Sequence, residues 1–180
     1  MPIDAVIRLV IFALVLISIL LWQALKPRRV AGAHTRQRWF QHLSISALNT
    51  LAAKLILPMG ISGLALWVET KQWGVLQQLE WHFALKLVIS LVLLDLLIYW
   101  QHRLFHVVPV FWRLHRMHHT DLDFDCTTAL RFHPLEILLS LLIKGAAVVI
   151  LGVSAQAILI FEILLNSLAL FNHGNIYLPE

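Results

Sequence analysis

Cysteine occurs once, at Cys126, so the chain can close no internal disulfide. It can build neither a cysteine zinc finger nor an iron–sulfur cluster. Any metal site must therefore be made from imidazole, with carboxylate or water as helpers. Charge is scarce too: 13% of the 180 residues are Asp, Glu, Lys or Arg, where an ordinary soluble domain has about a quarter. Hydrophobic residues make up 59%. Together these figures exclude a soluble globular domain and point to an integral membrane protein. No glycine-rich flavin or nicotinamide motif is present. The net charge of +4 could suggest nucleic acid, but the basic residues flank apolar segments. That placement suits bilayer orientation and anionic headgroups, and no nucleic-acid partner is expected.

The first apolar segment runs from about Ala5 to Leu25, long enough to cross about 30 Å of hydrocarbon. Lys26, Arg28, Arg29, Arg36 and Arg38 follow it, against Asp4 and Arg8 near its start. The positive-inside rule then puts the N-terminus outside and the basic loop in the cytoplasm. A cleaved signal peptide would carry its basic residues first and a small-residue cleavage site after, so a retained anchor is expected. A second segment, Leu43 to Val68, holds Lys54 and is interrupted by Pro58-Met59-Gly60, where a kink or break is expected. The third runs from Phe83 to Gln101 and returns the chain to the cytoplasmic side. Leu135–Leu151 and Ser154–Phe171, joined by Gly152-Val153, suit a short or re-entrant hairpin as well as two full spans. The expected architecture is an all-α membrane protein of about three transmembrane helices plus that hairpin, with a cytoplasmic histidine-rich helical cap. Residues 1–82 form an N-terminal membrane region and residues 83–180 a second domain.

Five of the ten histidines fall between His102 and His119. At about 100° per residue, Asp95, Tyr99, His102 and His106 share a helix stripe roughly 60° wide. An aspartate inside an apolar run needs a partner in the protein interior. Pro109 ends that helix, and His115, His118 and His119 form a second consistent face. His102 and His106 alone would read as interfacial residues; two such faces a few residues apart point to metal.

A zincin would place glutamate after the first histidine, where this chain has Arg103. Haem needs only two axial ligands and leaves the other imidazoles unexplained. More than four nitrogen donors suggest two ions, and imidazole ligation with open positions suits iron that activates dioxygen. A membrane metal-binding or transport protein and a zinc-dependent lipid hydrolase are the alternatives. A transporter should set its ligands near mid-bilayer on broken helices rather than at one helix end.

His102-Arg-Leu-Phe-His106 and His115-Arg-Met-His118-His119 resemble the first two histidine boxes of the fatty acid hydroxylase superfamily. That superfamily includes sterol desaturases, C-4 methyl oxidases and sphingolipid or fatty acid hydroxylases. Asp95 and Tyr99 before the first box, Arg131–Glu136 after the second, and Asn172-His173-Gly174-Asn175 are similar to its pattern. The resemblance covers roughly Leu85 onward. It implies a non-haem di-iron enzyme that hydroxylates or desaturates a membrane lipid with dioxygen. Electrons would come from a reductase, ferredoxin or cytochrome b5-like partner. It further implies His102, His106, His115, His118 and His119 as metal ligands, with His133 and His173 as ligands or close supports. The bland readings of the last two are a loop residue before a proline and a cap on the preceding helix. The family carries a third box, His-x-x-His-His, beyond the position of His173, and none lies within these 180 residues. The chain is therefore either a piece of a longer enzyme or a natural short form with a degraded site; the first is expected, with the 180-residue piece inactive.

Asp95 is expected either to orient a ligand histidine or to bond Tyr99. Arg103, Arg113 and Arg116 read as headgroup contacts, and Asp121, Asp123 and Asp125 as a solvated loop. Glu136 and Glu162 lie in or beside apolar runs, where hydrogen bonding within the hairpin accounts for them.

Overall fold

The computed structural model describes residues 3–30, 32 and 34–179. Among them are eight α-helices and no strand. The helices are α1 Ile3–Leu25, α2 Thr35–Ile56, α3 Gly60–Thr70, α4 Val75–Gln78, α5 Phe83–Val107, α6 Pro109–His119, α7 Pro134–Leu151 and α8 Ala155–Asn172. A short 3-10 turn, Cys126–Leu130, lies between α6 and α7. Five helical stretches are long and apolar enough to cross a bilayer: α1, the run from α2 to α4, α5, α7 and α8. They coincide with the apolar segments read from the sequence.

Much of the apolar side-chain surface faces outward. Leu9, Val10, Leu14, Ile17 and Leu21 of α1 are all exposed, while Ile19 and Gln23 on the other face are buried. Such a distribution is what lipid contact on one side and helix packing on the other require. α2 starts at Thr35, ahead of the apolar segment expected from Leu43, because its polar first turns pack against the protein. It ends at Ile56 and α3 begins at Gly60, so the expected break falls on Leu57-Pro58-Met59. The missing N–H of Pro58 accounts for it, and Gly60, at φ 66°, takes the reversed backbone.

The main apolar core joins Ile61, Ala65 and Val68 of α3, Leu94 of α5, Val148 of α7, and Ala157, Ile158 and Phe161 of α8. A second one joins Ile19 of α1 to Cys126, Ala129 and Leu170. At one end of the bundle two glycines let main chains touch. A Cβ on Gly152, already at φ 75°, would come within 2.6 Å of the Trp73 carbonyl oxygen, and one on Gly74 within 2.2 Å of the Gly152 nitrogen. Gly152 also ends α7, with Val153 N–H reaching back to the Val148 carbonyl at 3.2 Å.

The ends of α1, α5 and α8 and the starts of α2 and α7 gather at the opposite, polar end. Pro27 and Ile176 form an antiparallel bridge there. Gln23 Oε1 accepts from the N–H groups of both Cys126 and Asn175, at 2.9 and 2.8 Å. The first span is thereby stitched to the segment that follows His173.

Candidate metal centre

Pro109 decides how the histidines meet. α5 stops at Val107, the chain turns at Val108, and Pro109 opens α6 with its preset φ and no N–H to satisfy. α6 folds back on α5, and the two histidine faces confront each other. His102 and His106, one turn apart on α5, bring their Nε2 atoms to 3.1 Å. His115 and His119 do the same on α6, at 3.2 Å. Ring centroids of His102, His106 and His115 lie 4.7–4.8 Å apart, and His119 sits 4.8 Å from His106 and 4.9 Å from His115. Ligand-capable atoms of His102, His106 and His115 all fall within 4.8 Å of one another.

A second group lies beside this quartet. His118 Nε2 is 2.9 Å from His173 Nε2, at the end of α8. The His118 ring is 5.4 Å from His115 and 5.1 Å from His119. Two nitrogens bound to one ion at about 2.1 Å each, near 90–110° at the metal, sit about 3 Å apart. The three close Nε2 pairs have that spacing.

Two protons are pinned on the far side of the rings. Glu136 Oε1 lies 2.7 Å from His115 Nδ1, and an ionised carboxylate only accepts, so Nδ1 donates and Nε2 keeps its lone pair. His173 Nδ1 donates to the Ala169 carbonyl at 2.7 Å, again freeing Nε2. Burial, and then the neighbouring His173 ring, push His118 down to about 3, so at neutral pH it is uncharged and able to donate a lone pair. Burial and His115 push His119 down as well. The donor set thus fits an imidazole-bound ion at His102, His106 and His115, with the close His118–His173 pair beside it.

A model of the family described as fatty acid hydroxylase matches residues 87–180. The chain belongs to the fatty acid hydroxylase family. No curated protein and no solved structure matches it. The family is one of lipid hydroxylases and desaturases and generally depends on two irons, and membership implies oxidoreductase activity.

Six of the seven histidines singled out in the sequence come together in this fatty acid hydroxylase domain. His133 stands apart: it is the N-cap of α7, its Nδ1 accepting from the Leu135 N–H at 3.2 Å, and it makes no ring contact with the cluster. His82 caps α5 in the same way. His173 both ends α8 and brings its Nε2 to 2.9 Å from His118 Nε2. Asp95 and Tyr99 do continue the stripe of His102 and His106 along α5, yet all four side chains are exposed, and neither Asp95 nor Tyr99 bonds a histidine. His115 and His118 are buried, with 0% and 5% exposure. The cluster is closed toward α7 and open along α5.

Several supporting residues carried little sequence signal. Glu136, at 3% exposure, pairs with His115 across helices rather than within the hairpin; its Oε2 is buried and unpartnered. Phe132 stacks on His118 at 4.6 Å and 6°, its carbonyl held by Asn49 of α2 at 3.0 Å. Two of the three acidic residues after the second box, Asp121 and Asp125, do not lie in solvent as expected, while Asp123 is part-exposed. Asp125 is buried, and the Asp121 side chain is 2% exposed against Arg38. Alternating aspartates suggest solvent, and nothing in their spacing names a partner 83 residues away.

Proposed function

We propose that the chain holds two non-haem iron ions and oxidises a C–H bond of a membrane-dissolved lipid of sterol, fatty acyl or sphingolipid type. The observation that carries this reading is the convergence of six imidazoles, from α5, α6 and the end of α8, with Nε2 atoms about 3 Å apart in pairs. Iron bound there supplies the activation of dioxygen that attack on an unactivated C–H bond requires.

The residues' own parts follow from their surroundings. His102, His106, His115 and His119 form one ligand set, and His118 with His173 the other. Glu136 and the Ala169 carbonyl hold the His115 and His173 rings in the tautomer that turns Nε2 inward. Phe132 and Phe105 stack against the buried rings and keep water from them. The open side along α5, where His102 and His106 are exposed among apolar residues, is where the lipid approaches. Among the described residues the second set has two imidazole donors, fewer than the first. The centre faces the cytoplasm with the N-terminus outside, as the basic residues after α1 favour. Residues 1–82 serve as membrane scaffold and 83–180 as the catalytic domain. A reductase, ferredoxin or cytochrome b5-like partner delivers electrons.

Iron analysis of the protein in nanodiscs, with oxygen uptake on added lipid, tests the reading. The expected result is two irons per chain and lipid product that appears only aerobically. Zinc with oxygen-independent lipid cleavage would show a hydrolase instead, and ion flux across sealed vesicles without turnover a transporter.

A further inference from the structure

Arg38 lies in the first turn of α2, outside the segment matched by the family model. Its planar guanidinium is shared between two carboxylates. Nε donates to Asp121 Oδ1 at 2.8 Å and Nη2 to Asp121 Oδ2 at 2.6 Å, a two-pronged pair, while Nη1 donates to Asp125 Oδ2 at 3.2 Å. Asp121 is the second residue beyond His119. Asp125 opens the 3-10 turn as its N-cap. One side chain therefore closes both ends of the link that leaves the second histidine box.

The neighbours reinforce this grip. Trp39 Nε1 donates to Asp125 Oδ2 at 2.9 Å, and the Thr128 hydroxyl to Asp121 Oδ2 at 2.5 Å. The Thr127 hydroxyl gives its proton to Asp125 Oδ1 at 2.6 Å, so His42 Nδ1 must donate to Thr127 Oγ1 at 2.9 Å. Arg38, Asp121 and Asp125 side chains are 12%, 2% and 10% exposed. Buried ion pairs add little net stability, and their best-attested use is to fix register. Here the end of α6 is what they hold: its C-cap, Thr120, bonds locally from its hydroxyl to the Met117 carbonyl and accepts one exposed bond from Arg131 Nη2 at 3.1 Å.

We propose that Arg38 is a positioning residue for the histidine centre: by clamping Asp121 and Asp125 it sets the angle at which α6 delivers His118 and His119. The proposal rests on the reading of that cluster as a metal centre. Lysine at this place keeps the charge but cannot span both oxygens of Asp121 and reach Asp125 at once.

The test uses the full 180-residue chain in nanodiscs, stripped of metal and titrated with Co(II), whose visible bands report ligand number and geometry. In Arg38→Lys the thermal midpoint should stay within a few degrees of wild type. Its Co(II) affinity should fall roughly 10-fold or more, and the bands should shift. Asp125→Asn, which removes the charge at one prong, should change both readouts in the same direction by less, and it serves should Arg38→Lys not fold. Wild-type affinity and spectrum in the folded variants would overturn the proposal and leave the metal centre standing; so would a lowered midpoint with an unchanged spectrum, the mark of a staple only. A wild-type chain that develops no Co(II) band at all would sink the centre, and this proposal with it.

Discussion

His115 and Glu136 meet at 2.7 Å between α6 and α7, each with no more than 3% of its surface exposed. A buried carboxylate that accepts from the outer nitrogen of an imidazole fixes the tautomer and makes the inner nitrogen a better donor.

Glu136→Gln keeps an acceptor of the same shape and removes the charge; Glu136→Ala removes both. Metal affinity should fall in that order, reaching roughly 10- to 100-fold for alanine. Competition with a chelator of known affinity measures it. Equal affinity in wild type and Glu136→Ala would exclude an orienting role.

Inside the spans, Glu162 of α8 accepts from Arg8 of α1 and Lys144 of α7. Its partner in α7 lies within the expected hairpin, but Arg8 binds the first span to the same carboxylate. Replacing Glu162 alone strands two cations in apolar surroundings, and Glu162→Leu should lower stability by about 3–5 kcal/mol. Exchanging all three for Met, Leu and Met should recover most of that. Unfolding in detergent, followed by circular dichroism, tests the contrast; a triple variant as weak as the single one would refute it.

Asp121 yields a prediction in pH. Burial by itself would raise its carboxyl, but the bonds from Arg38 and Thr128 outweigh that and hold it at about 2, against an ordinary 3.8. A group depressed on folding stabilises the fold above its unfolded value and loses that contribution as pH falls toward the folded one. The thermal midpoint should therefore drop between about pH 4 and 2, and this component should be missing from Asp121→Asn. Parallel curves for the two proteins would count against it.

Cys126 is fully buried, and burial pushes its thiol up to about 12. Thiolate is the reactive form, so iodoacetamide at pH 8 should leave the native protein unlabelled and modify it once denatured. Mass spectrometry reads the outcome, and stoichiometric labelling of the native chain would contradict the packing.

Much of this architecture is legible in the residues alone. Runs of apolar side chains must leave water, which locates the spans, and the missing N–H of Pro58 and Pro109 locates a break and a turn. A spacing of four between His102 and His106, and between His115 and His119, puts each pair on one helix face. Spacing goes no further than the helix it lies on. It put Asp95 and Tyr99 in the same stripe as the histidines, and they are in it, but a stripe does not say whether a neighbour covers it. The family resemblance gave His133 the same standing as His173, although one caps α7 and the other meets His118. Asp121 and Asp125 were expected in solvent because their nearest sequence neighbours offer no cation.

A membrane chain with imidazole as its metal-capable donor, and with two histidine pairs each on one helical face, follows from composition and from the 3.6-residue turn. Neither depends on what lies across the bundle. That the pairs face one another, that Glu136 and the Ala169 carbonyl orient His115 and His173, and that Arg38 anchors the end of α6 depend on packing between helices far apart in the chain. Helical periodicity is a local property, whereas the meeting of two side chains is set by the angles and offsets of whole helices, which many distant contacts decide together.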